Sequence, residues 1–241
     1  MTNSLTTKAM EQLFIDACLT ELRSLKPGNV HIFADGHGMT MAQFEIAAKV
    51  AAPFLVAEES PLGQRIENAV KASMESIKLN TNLGIILLAA PLIMAAQTAI
   101  HVKTPKPTVA DLKSSLIKLL HSTSAEDGNA IARAIKLANP GGLGSVNTAD
   151  VNGPPANLTV FELMQLANSR DRIALQYTTN FVDIFQLGLP RLRDSLELEM
   201  GIDWATTNCY LELIGSFPDT HIARKHGEAV AQQVQEAAQA I

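Results

Sequence analysis

Between two apolar helical stretches, residues 25 to 39 read LKPGNVHIFADGHGM. This short span holds Lys26, Asn29, His31, Asp35 and His37. Histidine titrates nearest neutrality, so His31 and His37 can give or take a proton. Asp35 can hold a divalent cation or face a developing positive charge. The H-x3-D-x-H spacing also admits metal ligation by His31, Asp35 and His37, although no fixed metal signature contains it. Lys26 offers a point charge to a phosphate, and Asn29 a neutral hydrogen-bonding group. The plain alternative is a solvated loop.

Three further polar stretches interrupt the apolar background. Asn80, Thr81 and Asn82 run into Leu83-Gly84, where they can cap a helix or help its N-terminal dipole hold a phosphate. Residues 139–155 read NPGGLGSVNTADVNGPP, a loop whose glycines let a backbone approach a ligand. It lacks the Gly-Lys-Ser/Thr of a P-loop, and no strand precedes it as a dinucleotide fingerprint requires. Its carboxylate, Asp150, can hold magnesium or a ribose hydroxyl. In the fourth stretch Arg170 and Tyr177 lie seven positions apart, on one face of an expected helix, with Asp171 beside it. Asp219, His221, Arg224 and Lys225 cluster at an expected helix start, and a cationic group of this kind suits polyphosphate. Surface ion pairs and a solvated helix end are the plain readings here.

The elements that must position these groups are helical. Met10, Phe14, Cys18 and Leu22 recur at helical spacing, and Lys26-Pro27-Gly28 ends that helix. Thr40 with Gln43 reads as a capping box, as does Thr159 with Glu162. Ser60-Pro61, Thr108 and Ser124 begin further helices. The apolar run from Leu83 to Ala96, interrupted by Pro91, reads as a buried core helix shorter than the ~20 residues a bilayer needs. A long helix is expected from Thr159 to about Phe181, with two or three more to the end. Strand patterns are nearly absent. The expectation is an all-α fold: a single compact multi-helix domain over residues 1–241 around a central buried helix.

With 241 residues the chain can bury a sizeable core, and 47% hydrophobic against 18% charged residues marks it as globular. A net charge of -5 without a basic stripe argues against nucleic acid as a partner. Cys18 and Cys209 form no metal-type pair and are expected to be reduced thiols. The N-terminus lacks the apolar core of a signal peptide, so the expected location is cytoplasmic, with no membrane partner.

Taken together, LKPGNVH, GHGM with Phe44 beyond it, NTNLG and the late DTHIARKHG resemble the triphosphoribosyl-dephospho-CoA synthase family. Its members carry K-P-G-x-V, then G-x-H-x-D-M, then G-V-N-T-H-K-G before an apolar helix, in this order. The resemblance implies an all-helical transferase that uses ATP with magnesium. The 2′-hydroxyl of 3′-dephospho-CoA attacks the ribose C1 of ATP, and adenine leaves. His37 occupies the family's histidine position and is the first choice for moving a proton, with His31 beside it. Asp35 would bind magnesium or stabilise the ribosyl cation. Lys26, Arg224 and Lys225 would take phosphates, and Asn29 would orient the ribose.

This chain departs from the pattern. Met39-Thr40 stands where the family has Asp-Met, and Asn82-Leu83 replaces its His-Lys. Asn82 can donate a hydrogen bond but cannot act as an acid near neutral pH. The NTNLG form resembles a divergent branch of archaea and of bacteria that use methanopterin-type one-carbon cofactors. Two alternatives therefore stand beside dephospho-CoA transfer: a paralogue with another acceptor in such cofactor biosynthesis, or a non-catalytic helical ligand-binding protein. A metal hydrolase built on H-x3-D-x-H is a remoter reading. A homodimer is compatible with the sequence.

Overall fold

The computed structural model describes residues 7–34, 38–102, 107–141 and 150–241. Among these, twelve α-helices and no strand are present, and an isolated bridge joins His31 to Ala34. The first six helices are α1 (Thr7–Arg23), α2 (Met41–Leu55), α3 (Leu62–Ile77), α4 (Leu83–Val102), α5 (Val109–His121) and α6 (Ala125–Ala138). After the glycine-rich stretch come α7 (Val160–Ala167), α8 (Arg172–Thr178), α9 (Leu189–Glu197), α10 (Ile202–Ser216), α11 (Thr220–His226) and α12 (Glu228–Gln239). The all-α expectation holds.

Local chemistry starts these helices where the sequence places their caps. The Thr40 amide donates to Gln43 Oε1 at 2.8 Å, and Thr108, Ser124 and Thr159 form reciprocal boxes with Asp111, Asp127 and Glu162. Asp127 serves twice: Oδ2 takes the Ser124 amide at 2.9 Å, while Oδ1 takes the Gly63 amide at the start of α3 at 2.8 Å. The close crossing of α3 and α6 needs that glycine, because a Cβ on Gly63 would stand 2.5 Å from the Asp127 Cα.

The core gathers Leu55, Ile66, Val70, Ile86, Leu116, Leu120 and Ile131 from α2 to α6, with Phe14 and Cys18 of α1 on one side and Tyr177 and Phe181 on the other. Arg65 is buried among them at 2% exposure. It donates to the carbonyls of Leu55, Glu58 and Ser60 and to Gln97 Oε1, and so closes the open end of α2. Burial pulls its ionisation below the usual arginine range, and Glu58 opposes this.

Two sequence expectations are corrected in detail. The apolar helix does not stop near residue 96: α4 runs 20 residues to Val102 and carries Pro91 inside it, so it is long and apolar enough to cross a bilayer. Ile86, Ala90 and Ala95 are fully buried in it, whereas Leu88, Leu92 and Ile93 are only partly covered, so only one face is central core. The single long helix expected to reach Phe181 is broken. Asp171 starts a new helix by accepting the Ile173 and Ala174 amides, and Asn180 and Phe181 turn left-handed at φ 56° and 60°. A π-helical turn, Ile184–Gly188, then leads into α9.

Candidate functional site

A cavity of about 960 Å³ opens beside the N-terminus of α4. That lies at the large end for a small-molecule site. Its wall draws on the first loop, the mouth of α4, the α7–α8 junction, the inner face of α10 and the start of α11. Apolar side chains such as Ile85, Leu163, Leu213 and Phe217 make much of the surface, and the polar groups converge on it.

At the α4 mouth, Asn80 Oδ1 accepts the Leu83 amide at 3.3 Å, an N-terminal cap. Thr81 and Asn82 behave otherwise. They are 8% and 5% exposed and line the cavity, yet Thr81 Oγ1 and Asn82 Nδ2 have no hydrogen-bond partner among the described residues. A buried polar group left so costs roughly 1–3 kcal/mol. Gly84 lets the start of α8 come close, since a Cβ there would meet Ile173 Cδ1 at 3.0 Å.

The first loop reaches the same cavity through Lys26, Asn29, Val30 and Met39. Lys26 is buried, and its ammonium donates to the Glu21 carboxylate and to the Val30 carbonyl at 3.3 Å. Its charge is thus already partnered, which makes it a weaker phosphate ligand than the sequence implied. Tyr210 of α10 fixes this loop by donating its hydroxyl to the Pro27 carbonyl at 2.6 Å. Burial pushes the Tyr210 phenol up, while a hydrogen bond from Asn29 draws it down.

The cationic side is built by the α7–α8 junction, α8 and α11. Arg224 Nη1 donates to Asp171 Oδ2 at 2.7 Å. Arg172 donates Nε to Asp183 Oδ2 at 2.8 Å and stacks on Phe217, 3.1 Å from the ring centre. Arg170 and Lys225 also line the cavity, and neither has an ion pair among the described residues. Asp219 caps α11 through Oδ1, leaving Oδ2 without a hydrogen bond among the described residues.

Three sequence-picked residues lie off this wall. Tyr177 is fully buried, donates its hydroxyl to the Leu87 carbonyl at 2.5 Å, and has its ionisation pushed up by burial. Arg170 precedes the N-cap of α8, so the two share no helix face. His31 is buried in the first loop, where Nδ1 accepts the Phe33 amide at 3.2 Å. Asp150 Oδ1 accepts the Asn152 amide at 2.8 Å in a turn. Asp35 and His37 lie outside the described residues. No group of three His, Cys, Asp or Glu that could hold a metal ion occurs among the described residues.

Conversely, the cavity includes Asp183, Gln176, Tyr210 and Phe217, which pattern reading missed. Asp183 reaches Gln176 only through the left-handed turn between them, which no periodicity reports. Tyr210 meets the first loop 183 positions away in sequence.

The site is thus a large cavity in a helical shell, with neutral donors at one helix mouth and arginines beside it. The chain belongs to the CitG family, ATP:dephospho-CoA triphosphoribosyl transferase, whose sequence profile matches residues 7–241. Among solved structures it is similar to a protein from Archaeoglobus fulgidus provisionally described as a triphosphoribosyl-dephospho-CoA synthase. The TM-score is 0.62 at 22% identity, covering 80% of this chain and 79% of the other. No protein of curated function matches. The family is one of triphosphoribosyl transferases, and this chain is a transferase of that kind.

Proposed function

We propose that the chain moves the triphosphoribosyl group of ATP onto the 2′-hydroxyl of 3′-dephospho-CoA and releases adenine. The acceptor oxygen bonds to C1′ as the bond from C1′ to the adenine nitrogen breaks. The hydroxyl proton passes to a base, and the departing adenine takes up a proton. The supporting observation is the cavity wall on which Thr81 Oγ1 and Asn82 Nδ2 lack partners among the described residues, in the same cavity as Arg170, Arg224 and Lys225. Donors at a helix N-terminus and cations beside it suit phosphoryl oxygens, and their fixed placement stabilises charge as it moves.

Within this reading Arg170, Lys225 and Arg224 hold the triphosphate, Arg224 being aimed by Asp171. Magnesium enters with the nucleotide. Such an ion takes one or two carboxylates and otherwise water and phosphate oxygens. Asp219 Oδ2, on the wall and without a hydrogen bond among the described residues, fits that need. When bound, the ion neutralises phosphate charge. Of the histidines, His221 lines the cavity, while His37 is the proton carrier that the family resemblance favours.

A second reading keeps the donor and changes the acceptor. It is favoured by Asn82, a buried neutral amide where the family motif has a titratable histidine. One experiment separates the two: incubate the protein with ATP, magnesium and dephospho-CoA and assay free adenine together with the ribosylated product. Adenine formed only with another acceptor selects the second reading. No adenine with any acceptor removes both.

A further inference from the structure

We propose that Asp183 is the carboxylate that receives a ribose hydroxyl in the cavity. The inference rests on the reading above that ribose-bearing substrates bind there, and adds a residue and a contact to it.

Asp183, in αR conformation directly before the π-helical turn, is held on one side by three hydrogen bonds. Oδ2 accepts from Arg172 Nε at 2.8 Å and from Gln176 Nε2 at 2.5 Å, and the Asp183 amide donates to Gln176 Oε1 at 3.2 Å. Gln176 is itself 4% exposed. The other oxygen, Oδ1, has no hydrogen bond among the described residues and is not sealed in the interior, although the side chain is only 12% exposed. It is the open half of a carboxylate whose closed half is clamped, and Asp183 lines the cavity.

The backbone carries this residue into place at a cost. Phe181 adopts φ 60°, a left-handed conformation that a bulky residue rarely takes, directly after Asn180 at 56°. The Phe181 amide donates to the Gln176 carbonyl at 2.7 Å, which closes the turn. The π-helical turn Ile184–Gly188 follows at once. Strained dihedrals and π-turns persist where the surrounding structure over-determines them, and they concentrate at functional sites. Here their combined effect is to bring Asp183 back over α8, beside Arg172 and Gln176.

The remaining acceptor selects the ligand group. A carboxylate oxygen beside arginines does not bind a phosphate, since like charges repel, but it accepts a hydroxyl proton well. Arg172 neutralises Asp183 against the phosphates nearby. A ribose, whose hydroxyls sit a few bonds from a phosphate chain, satisfies both groups together. Both proposed substrates carry one, so the shared chemistry is the ribose hydroxyl.

The test is equilibrium binding to the full chain by calorimetry, with ATP, 2′-deoxy-ATP and 3′-deoxy-ATP in one arm and dephospho-CoA and CoA, whose 3′-hydroxyl is phosphorylated, in the other. The wild type is expected to prefer the free hydroxyl in at least one arm by about tenfold or more, as for a hydrogen bond to a charged group. Asp183→Asn keeps an oxygen for Arg172 but turns a donor into the cavity, and is expected to abolish that preference. The arm in which it vanishes identifies the ribose. Asp183→Ser serves if the asparagine variant does not fold. A wild type that binds nucleotides without hydroxyl preference, or a variant that keeps every preference, overturns the assignment and leaves the transferase reading intact. Failure of the wild type to bind any of these compounds overturns both.

Discussion

Arg224 and Asp171, 53 positions apart, meet through a 2.7 Å hydrogen-bonded ion pair. The same carboxylate caps α8 through its other oxygen, so one side chain both starts a helix and aims a guanidinium at the cavity. The pair separates binding from stability. Asp171→Ala is expected to cost about 1 kcal/mol from the lost cap. For a chain of this size that is a melting-temperature fall of about 2–4 °C. Arg224→Gln is expected to leave melting nearly unchanged and to raise the apparent KM for ATP by about tenfold. An unchanged KM would reduce Arg224 to a support for Asp171.

The unpartnered groups of Thr81 and Asn82 give an opposite signature. Replacing a buried, unsatisfied polar group by an apolar one of similar shape is neutral or stabilising. Thr81→Val and Asn82→Leu are therefore expected to melt at or above the wild-type temperature while losing adenine release. Scanning calorimetry beside the adenine assay checks this. A clear fall in melting temperature would mean that both groups are satisfied in the free protein.

His37→Gln is expected to lower adenine release by roughly 10²–10⁴-fold, the scale of a lost acid–base group. His221→Gln is expected to act mainly through KM, because that ring sits against Arg224, with Nδ1 3.4 Å from Nη2. Steady-state kinetics on both variants decide between them. A fully active His37→Gln protein would move the proton-carrier assignment to His221.

Alkali should destabilise the chain in part through its thiols. Burial, reinforced by Glu21, pushes Cys18 from an ordinary 9.0 to about 12, and burial likewise pushes Cys209 up. The unfolded thiol therefore ionises first. The Cys18 contribution to stability is constant well below pH 9.0 and falls from there towards about 12, where folded Cys18 ionises too. Denaturant titrations from pH 7 to 11 check the slope, and Cys18→Ala should flatten part of it. A stability unchanged across pH 9 to 11 would contradict the burial of Cys18.

Much of the frame was legible because it is local. Thr40, Thr108, Ser124 and Thr159 announce their helices by chemistry spanning three residues, and apolar periodicity marks the core faces of α1 to α6. The cavity was half legible. Asn80 to Asn82 and the Arg224 cluster stand out as polar islands in apolar surroundings. Arg65 does not, because its acceptors are mostly backbone carbonyls that no residue type reveals. The Arg170–Tyr177 pairing failed because a helix-like apolar pattern hid the break at Asp171, where a side-chain cap outweighs periodicity. Asp183 needed the left-handed turn at Asn180 and Phe181, and phenylalanine gives no warning of one.

Asp127 ties the starts of α3 and α6 to one carboxylate, with Gly63 on one oxygen and Ser124 on the other. Fraying at either end releases an anchor of the other, so the first turns of two helices 64 positions apart form one cooperative opening unit. Their amides should then exchange with solvent deuterium as a pair, with similar protection, although nothing in the order of the chain connects them.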